Sequence, residues 1–166
     1  MLHDWSKRHM SLILTWAIAA GLATLLVVLS SAQSGGSQKR KALMMTRLYT
    51  GPDGQTHAEE MEAKFTAGPN EVFKLMGTAG AELHRAVPGT VVDWHTAPRR
   101  QYVITLSGQG ELEVSGGKKI RVGPGHIDLV EDTTGKGHIT RVTGTEDRVT
   151  LQLPLSDQST RATANR

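Results

Sequence analysis

No cysteine occurs among the 166 residues of this chain. Disulfide frameworks, thiolate metal sites and cysteine nucleophiles are therefore excluded, and the count is neutral between redox compartments. Aromatic residues are scarce, at 4%. Charge is not concentrated either: the net value is +3, and the one dense basic cluster is Lys39-Arg40-Lys41. Without a basic stripe interleaved with aromatics, nucleic acid has no support as a partner. Two catalytic signatures are also missing. Gly135-Lys136-Gly137 lacks the rest of a phosphate-binding loop and no helix follows it, so it carries no phosphate reading. No Gly-x-Ser-x-Gly elbow exists for a serine hydrolase. Asp132-Thr133-Thr134 reads as a turn.

Glycine, by contrast, is abundant, with 18 residues. Its spacing sets a rhythm of turns, among them Gly51-Pro-Asp-Gly54, Pro88-Gly89, Gly116-Gly117, Gly123-Pro-Gly125 and Gly135-Lys-Gly137. Strand-length runs lie between them: 71–76, 81–87, 101–106, 111–114, 120–122, 127–130, 138–142 and 148–153. Several alternate apolar with polar residues, the period of a half-buried strand. His57–Phe65 could form a short helix, but its place ahead of the strands favours an extended edge piece. Many short strands with tight turns predict an all-β antiparallel sandwich or barrel.

Three segments are expected. Residues 1–42 hold Lys7-Arg8-His9, a charge-free stretch from Met10 to Gln38, and a linker. Within that stretch residues 11–29 are strongly apolar, and Ser30-Ser31-Ala32 follows as a small-residue cleavage site. The segment reads as a hydrophobic helix that is either a signal peptide or an uncleaved membrane anchor. Export to the periplasm or the extracellular space, cleaved or anchored, is the expectation, although a strict positive-inside count over Lys39, Arg40, Lys41 and Arg47 would favour a cytoplasmic C-terminal domain. A start at Met44 or Met45 would remove the segment and leave the protein cytoplasmic. Residues 43–155 form the folded domain, and the polar stretch 156–166 is expected to be a disordered tail.

The segment Gly89-Thr-Val-Val-Asp-Trp-His95-Thr-Ala97-Pro-Arg-Arg-Gln101-Tyr-Val-Ile-Thr-Leu-Ser-Gly108 has a further pattern. It resembles the first signature of the cupin superfamily: Gly, five residues, His-x-His, three or four residues, Glu, six residues, Gly. Gly123-Pro-Gly-His-Ile-Asp-Leu-Val-Glu-Asp-Thr-Thr-Gly-Lys-Gly-His138 resembles the second. The resemblance implies a single-domain, antiparallel jelly-roll barrel. It also implies one divalent transition metal, such as Fe, Mn, Ni or Zn, held by three histidines and a glutamate. Only His95 and His138 keep that role here. Ala97 cannot ligate, and Gln101 offers a neutral amide oxygen. His57, His84, Glu111, Glu113 and Glu131 could complete a set by residue type alone. The metal candidates are thus His95, Gln101 and His138.

Arg99 and Arg100 follow Pro98 at a turn, where guanidinium groups could clamp a carboxylate. With Gln101 and Tyr102 they make the candidate ligand-binding set. Tyr102 and Trp94 serve equally as core aromatics. His126 reads as a solvated surface histidine. The functional expectation is an exported cupin that binds a small polar or anionic molecule at an eroded metal site. The alternative is a metal-dependent cupin enzyme of the dioxygenase or isomerase class. A homodimer through sheet faces or an edge strand is a third, structural possibility.

Overall fold

The computed structural model describes residues 40–159. The apolar run at 11–29, its cleavage site and the last seven residues lie outside the described residues. Ten strands follow in order: β1 Met44–Thr50, β2 Thr56–Glu62, β3 Glu82–Ala86, β4 Val91–His95, β5 Gln101–Ser107, β6 Gln109–Glu113, β7 Lys119–Val122, β8 Ile127–Glu131, β9 His138–Thr143 and β10 Arg148–Pro154. The only helical element described is a single 3-10 turn at Ser115–Gly117. Among the described residues no helix is long and apolar enough to cross a membrane.

The strands form a six-stranded sheet in the order β2-β1-β8-β5-β10-β3 and a four-stranded sheet in the order β4-β9-β6-β7. The expected all-β class holds, and two of its details are corrected. The sheets remain separate rather than closing into one barrel, because β3 and β4 are edge strands that do not pair with each other. The pairing is also not wholly antiparallel, since β1 runs parallel to β8. The 57–65 piece is the edge strand β2, paired antiparallel with β1 over Thr56–Glu62.

The expected strand at 71–76 does not form. Its apolar residues pack instead of the backbone pairing. Leu75 and Met76 lie against Tyr102, Leu129 and Leu155, and the Met76 amide donates to the Tyr102 hydroxyl at 3.3 Å. Gln101 and Val103 line the space between the sheets. Strand alternation therefore places Tyr102 on the opposite, outer face of the six-stranded sheet. A short apolar segment can cover a sheet face as well as extend the sheet.

Between the sheets sits the main core: Leu48, Ala97, Leu112, Val114, Ile120, Val122 and Val130. Burying a side chain such as Leu or Val contributes about 1.5–3 kcal/mol. The expected disordered tail needs a correction at its start. The Arg100 amide donates to Gln158 Oε1 at 2.8 Å, and the Arg100 guanidinium donates to the carbonyls of Asp157 and Ser159. Residues 156–159 are thus tied to the sheet rather than free.

Candidate functional site

The sheets enclose a cavity of about 350 Å³. That volume lies within the ~300–1,000 Å³ typical of small-molecule sites. It opens on the flank where β3 and β4 are the sheet edges. His84 and Val92 line it there and are exposed.

Two histidines meet at one end. β4 pairs with β9 so that His95 stands opposite His138, and their ring centroids are 4.5 Å apart. The approach depends on Gly137. Its φ of +77° lies in the left-handed region, and a Cβ there would fall 2.0 Å from the His95 carbonyl oxygen. Only a bare backbone lets the loop before β9 pass so close to β4.

Each ring is held through Nδ1. His138 Nδ1 lies 2.6 Å from Asp132 Oδ2, with both side chains buried. His95 Nδ1 lies 2.8 Å from the Asp93 carbonyl. A carbonyl or carboxylate oxygen can only accept, so both Nδ1 atoms carry the proton as donors. Each neutral ring then keeps its lone pair on Nε2. Thr56 Oγ1 donates to the same Asp132 oxygen at 3.3 Å. Two acceptor nitrogens, one on the buried His138 and one on the partly buried His95, can take a hydrogen bond from a bound molecule.

Of the sequence candidates, His95, Gln101 and His138 line the cavity together. Gln101 is not free for a metal, however. Its Oε1 accepts from Arg99 Nε at 3.2 Å, and a guanidinium on that oxygen opposes a second cation there. Ala97 is 4% exposed and belongs to the apolar core. The position where the resemblance implies a ligand is instead packing. The reserve candidates are engaged elsewhere. Glu131 pairs with Arg47 and Arg100, Glu111 and Glu113 pair with Lys119 and Arg141, and His57 pairs with Asp53. No group of three His, Cys, Asp or Glu able to hold a metal occurs among the described residues. Catalytic zinc centres use three protein ligands and an open position. The donor set here, two imidazoles and an occupied amide, does not fit the metal that the resemblance implies.

The ligand-binding set also divides. Arg99 is half-exposed and ion-paired with Glu82 at 2.5 Å. His84 donates to the same carboxylate at 3.0 Å, and hydrogen bonds from His84 and Arg99 hold Glu82 below the usual carboxylate range. Arg100 does not reach the cavity. It is 2% exposed and bound to Glu131 and the 157–159 backbone, a structural anchor rather than an anion clamp. Tyr102 is in the outer-face core. Trp94 is exposed rather than core, with Lys136 Nζ 3.9 Å above its ring.

Three functional candidates were not legible as such. Asp132 buttresses His138. Asp128 and Arg148 line the cavity; Asp128 falls inside the second signature without being one of its ligand positions, and Arg148 lies outside both signatures. His126 is half-buried rather than solvated, with Nε2 3.0 Å from Asp128 Oδ1 and 3.1 Å from Thr46 Oγ1. The hydrogen bond to Asp128 raises the His126 pKa, against the opposing effects of burial and of Arg148. Burial lowers the Arg148 pKa, and the charge of Asp128 partly offsets this. The signal for Asp128 and Arg148 was a charged residue at an inward position of an alternating strand, visible only once the inward face was known.

No family model matches the chain, and no curated protein matches it. Solved structures similar to it include a conserved protein of unknown function from Streptococcus pyogenes, at 14% identity and a TM-score of 0.39, covering 72% of this chain and 80% of that one. Another is a cupin 2 conserved barrel domain protein from Leptotrichia buccalis, at 17% identity and a TM-score of 0.36, covering 72% of this chain and 44% of that one. A third is an RmlC-like cupin protein from Desulfovibrio desulfuricans, at 13% identity and a TM-score of 0.35, covering 74% of this chain and 91% of that one.

Proposed function

We propose that this protein is a cupin-type binding protein that holds a small molecule between its sheets without a resident metal. The observation that carries this reading is the histidine pair, with both Nδ1 atoms donated to protein oxygens and both side chains lining a cavity of about 350 Å³. Nε2 of each ring is a ready acceptor for a ligand N–H or O–H. The competing metalloenzyme reading needs a third strong ligand, and the occupied Gln101 amide does not supply one.

Export completes the proposal and rests on the sequence, through the basic start, the apolar run at 11–29 and the small-residue site at Ser30-Ser31-Ala32. N-terminal sequencing of the mature protein tests it. A start at Gln33 means cleavage and a start at Met1 an anchor, while a start at Met45 overturns export.

The binding test uses the full chain and a fragment library screened by ligand-observed NMR. Bound fragments are expected to lose about tenfold in affinity in His138→Ala, the loss of roughly one hydrogen bond. Elemental analysis after exposure to Fe, Mn, Ni or Zn is expected to find no stoichiometric metal. Stoichiometric metal that disappears in His95→Ala would overturn the metal-free reading. Fragment binding indifferent to His138→Ala would overturn the histidine assignment.

A further inference from the structure

The far end of the same cavity has its own chemistry. Asp128 lies on β8 opposite Val103 of β5, and Gln101, beside the histidines, lies opposite Val130. Arg148 begins β10, and its Cδ and Nε would lie 3.0 Å from a Cβ at Gly110. Gly110 pairs with Val142, four residues along β9 from His138. The cavity thus runs from the histidines, past an apolar waist of Leu48, Val103, Leu112 and Val130, to Asp128 and Arg148.

Both end residues are charged and nearly inaccessible, at 1% exposed for Asp128 and 8% for Arg148. Each is only half satisfied by the protein. His126 takes Asp128 Oδ1, and Thr105 Oγ1 accepts from an Arg148 terminal nitrogen at 2.9 Å. Asp128 Oδ2 and Arg148 Nε have no hydrogen-bond partner among the described residues. No ion pair joins the two residues, although they are near enough to feel each other's charge. Two residues that line the cavity thus each keep one buried atom with unmet hydrogen-bonding capacity, an acceptor on Asp128 and a donor on Arg148.

We propose that this end recognises a neutral head group with an N–H and a C=O side by side, a primary carboxamide in its simplest form, on a mostly apolar ligand. The inference rests on the small-molecule reading of the cavity and names the ligand's class. A carboxylate would satisfy Arg148 but set a like charge against Asp128 Oδ2. An ammonium would satisfy Asp128 and face Arg148. A carboxamide accepts from Arg148 Nε and donates to Asp128 Oδ2, and it brings no net charge to desolvate.

Three matched probes test this on the full chain: benzamide, benzoate and benzylamine, titrated by NMR with the Arg148 Nε–H resonance followed. Benzamide is expected to bind at least about tenfold tighter than either charged analogue, and to shift the Arg148 Nε–H signal. Asp128→Asn removes the repulsion that excludes the carboxylate, so the preference for benzamide over benzoate is expected to shrink by about tenfold. Benzoate binding more tightly than benzamide in the wild type would make this an anion site and overturn the proposal. Benzamide binding that leaves Arg148 Nε–H unmoved would overturn it too. If none of the three binds while His138-dependent fragments do, the carboxamide assignment falls and the binding function stands. If no fragment binds either, both fall.

Discussion

Asp132 shows how one buried carboxylate fixes the chemistry of a neighbour. It holds His138 by Nδ1 at 2.6 Å, so Nε2 stays an acceptor. Asp132→Asn offers an amide that can donate to Nδ1, which would move the ring proton to Nε2. Loss of this charge-assisted bond is expected to cost about 1.5–3 kcal/mol, measurable by urea denaturation, with the tautomer read from imidazole nitrogen shifts. His126 makes a prediction of the opposite kind. Its folded pKa is raised, first by the hydrogen bond to Asp128. A raised histidine stabilises the fold fully below the unfolded value of about 6.5 and loses that contribution as pH rises through the folded value. Stability is therefore expected to fall above about pH 6.5, and His126→Gln is expected to flatten that slope in denaturation series across pH.

At the scale of elements, the site depends on how closely β4 and β9 approach. Gly137→Ala forces a Cβ into the His95 carbonyl in a left-handed conformation. The expected cost is about 3 kcal/mol or more, with the His95 and His138 ring signals moving together in NMR spectra. The segment after β10 depends on Arg100, which anchors residues 157–159 and shares Glu131 with Arg47. Arg100→Met leaves a buried carboxylate with one partner in place of two. A loss of about 3 kcal/mol is expected, together with faster proteolysis after Leu155, read by mass spectrometry. The turn rhythm made most strands legible, including β5 through β10, because glycine positions mark where the chain must reverse. It missed β1 and β4 and gave 71–76 as a strand. Periodicity reports which side chains are buried, not whether the backbone is paired.

Across the whole molecule, the core and the cavity share one inter-sheet space. Leu48 is fully buried and touches both. Leu48→Ala is expected to cost about 2–5 kcal/mol, seen as a lower denaturation midpoint, and to enlarge the cavity. Asp128 and Arg148 occupy that space as buried charges with unmet hydrogen bonds. An unmet buried group typically costs about 1–3 kcal/mol, so a fold that keeps two of them is less stable than its apolar burial alone implies.

The sequence by itself determined the all-β class and most turn positions, because glycine placement and alternation are local properties, and motif spacing singled out His95 and His138 as candidates. Ala97 and Gln101 stand where the cupin resemblance implies metal ligands. Only the tertiary structure decided that the sheets stay open at β3 and β4, that Arg100 and Tyr102 turn away from the cavity, and that Asp132 orients His138. It alone brought Asp128 and Arg148 into the cavity, 20 positions apart in the chain. Which face of a strand looks inward, and what it meets there, is set by the register between strands, and no local pattern carries that register.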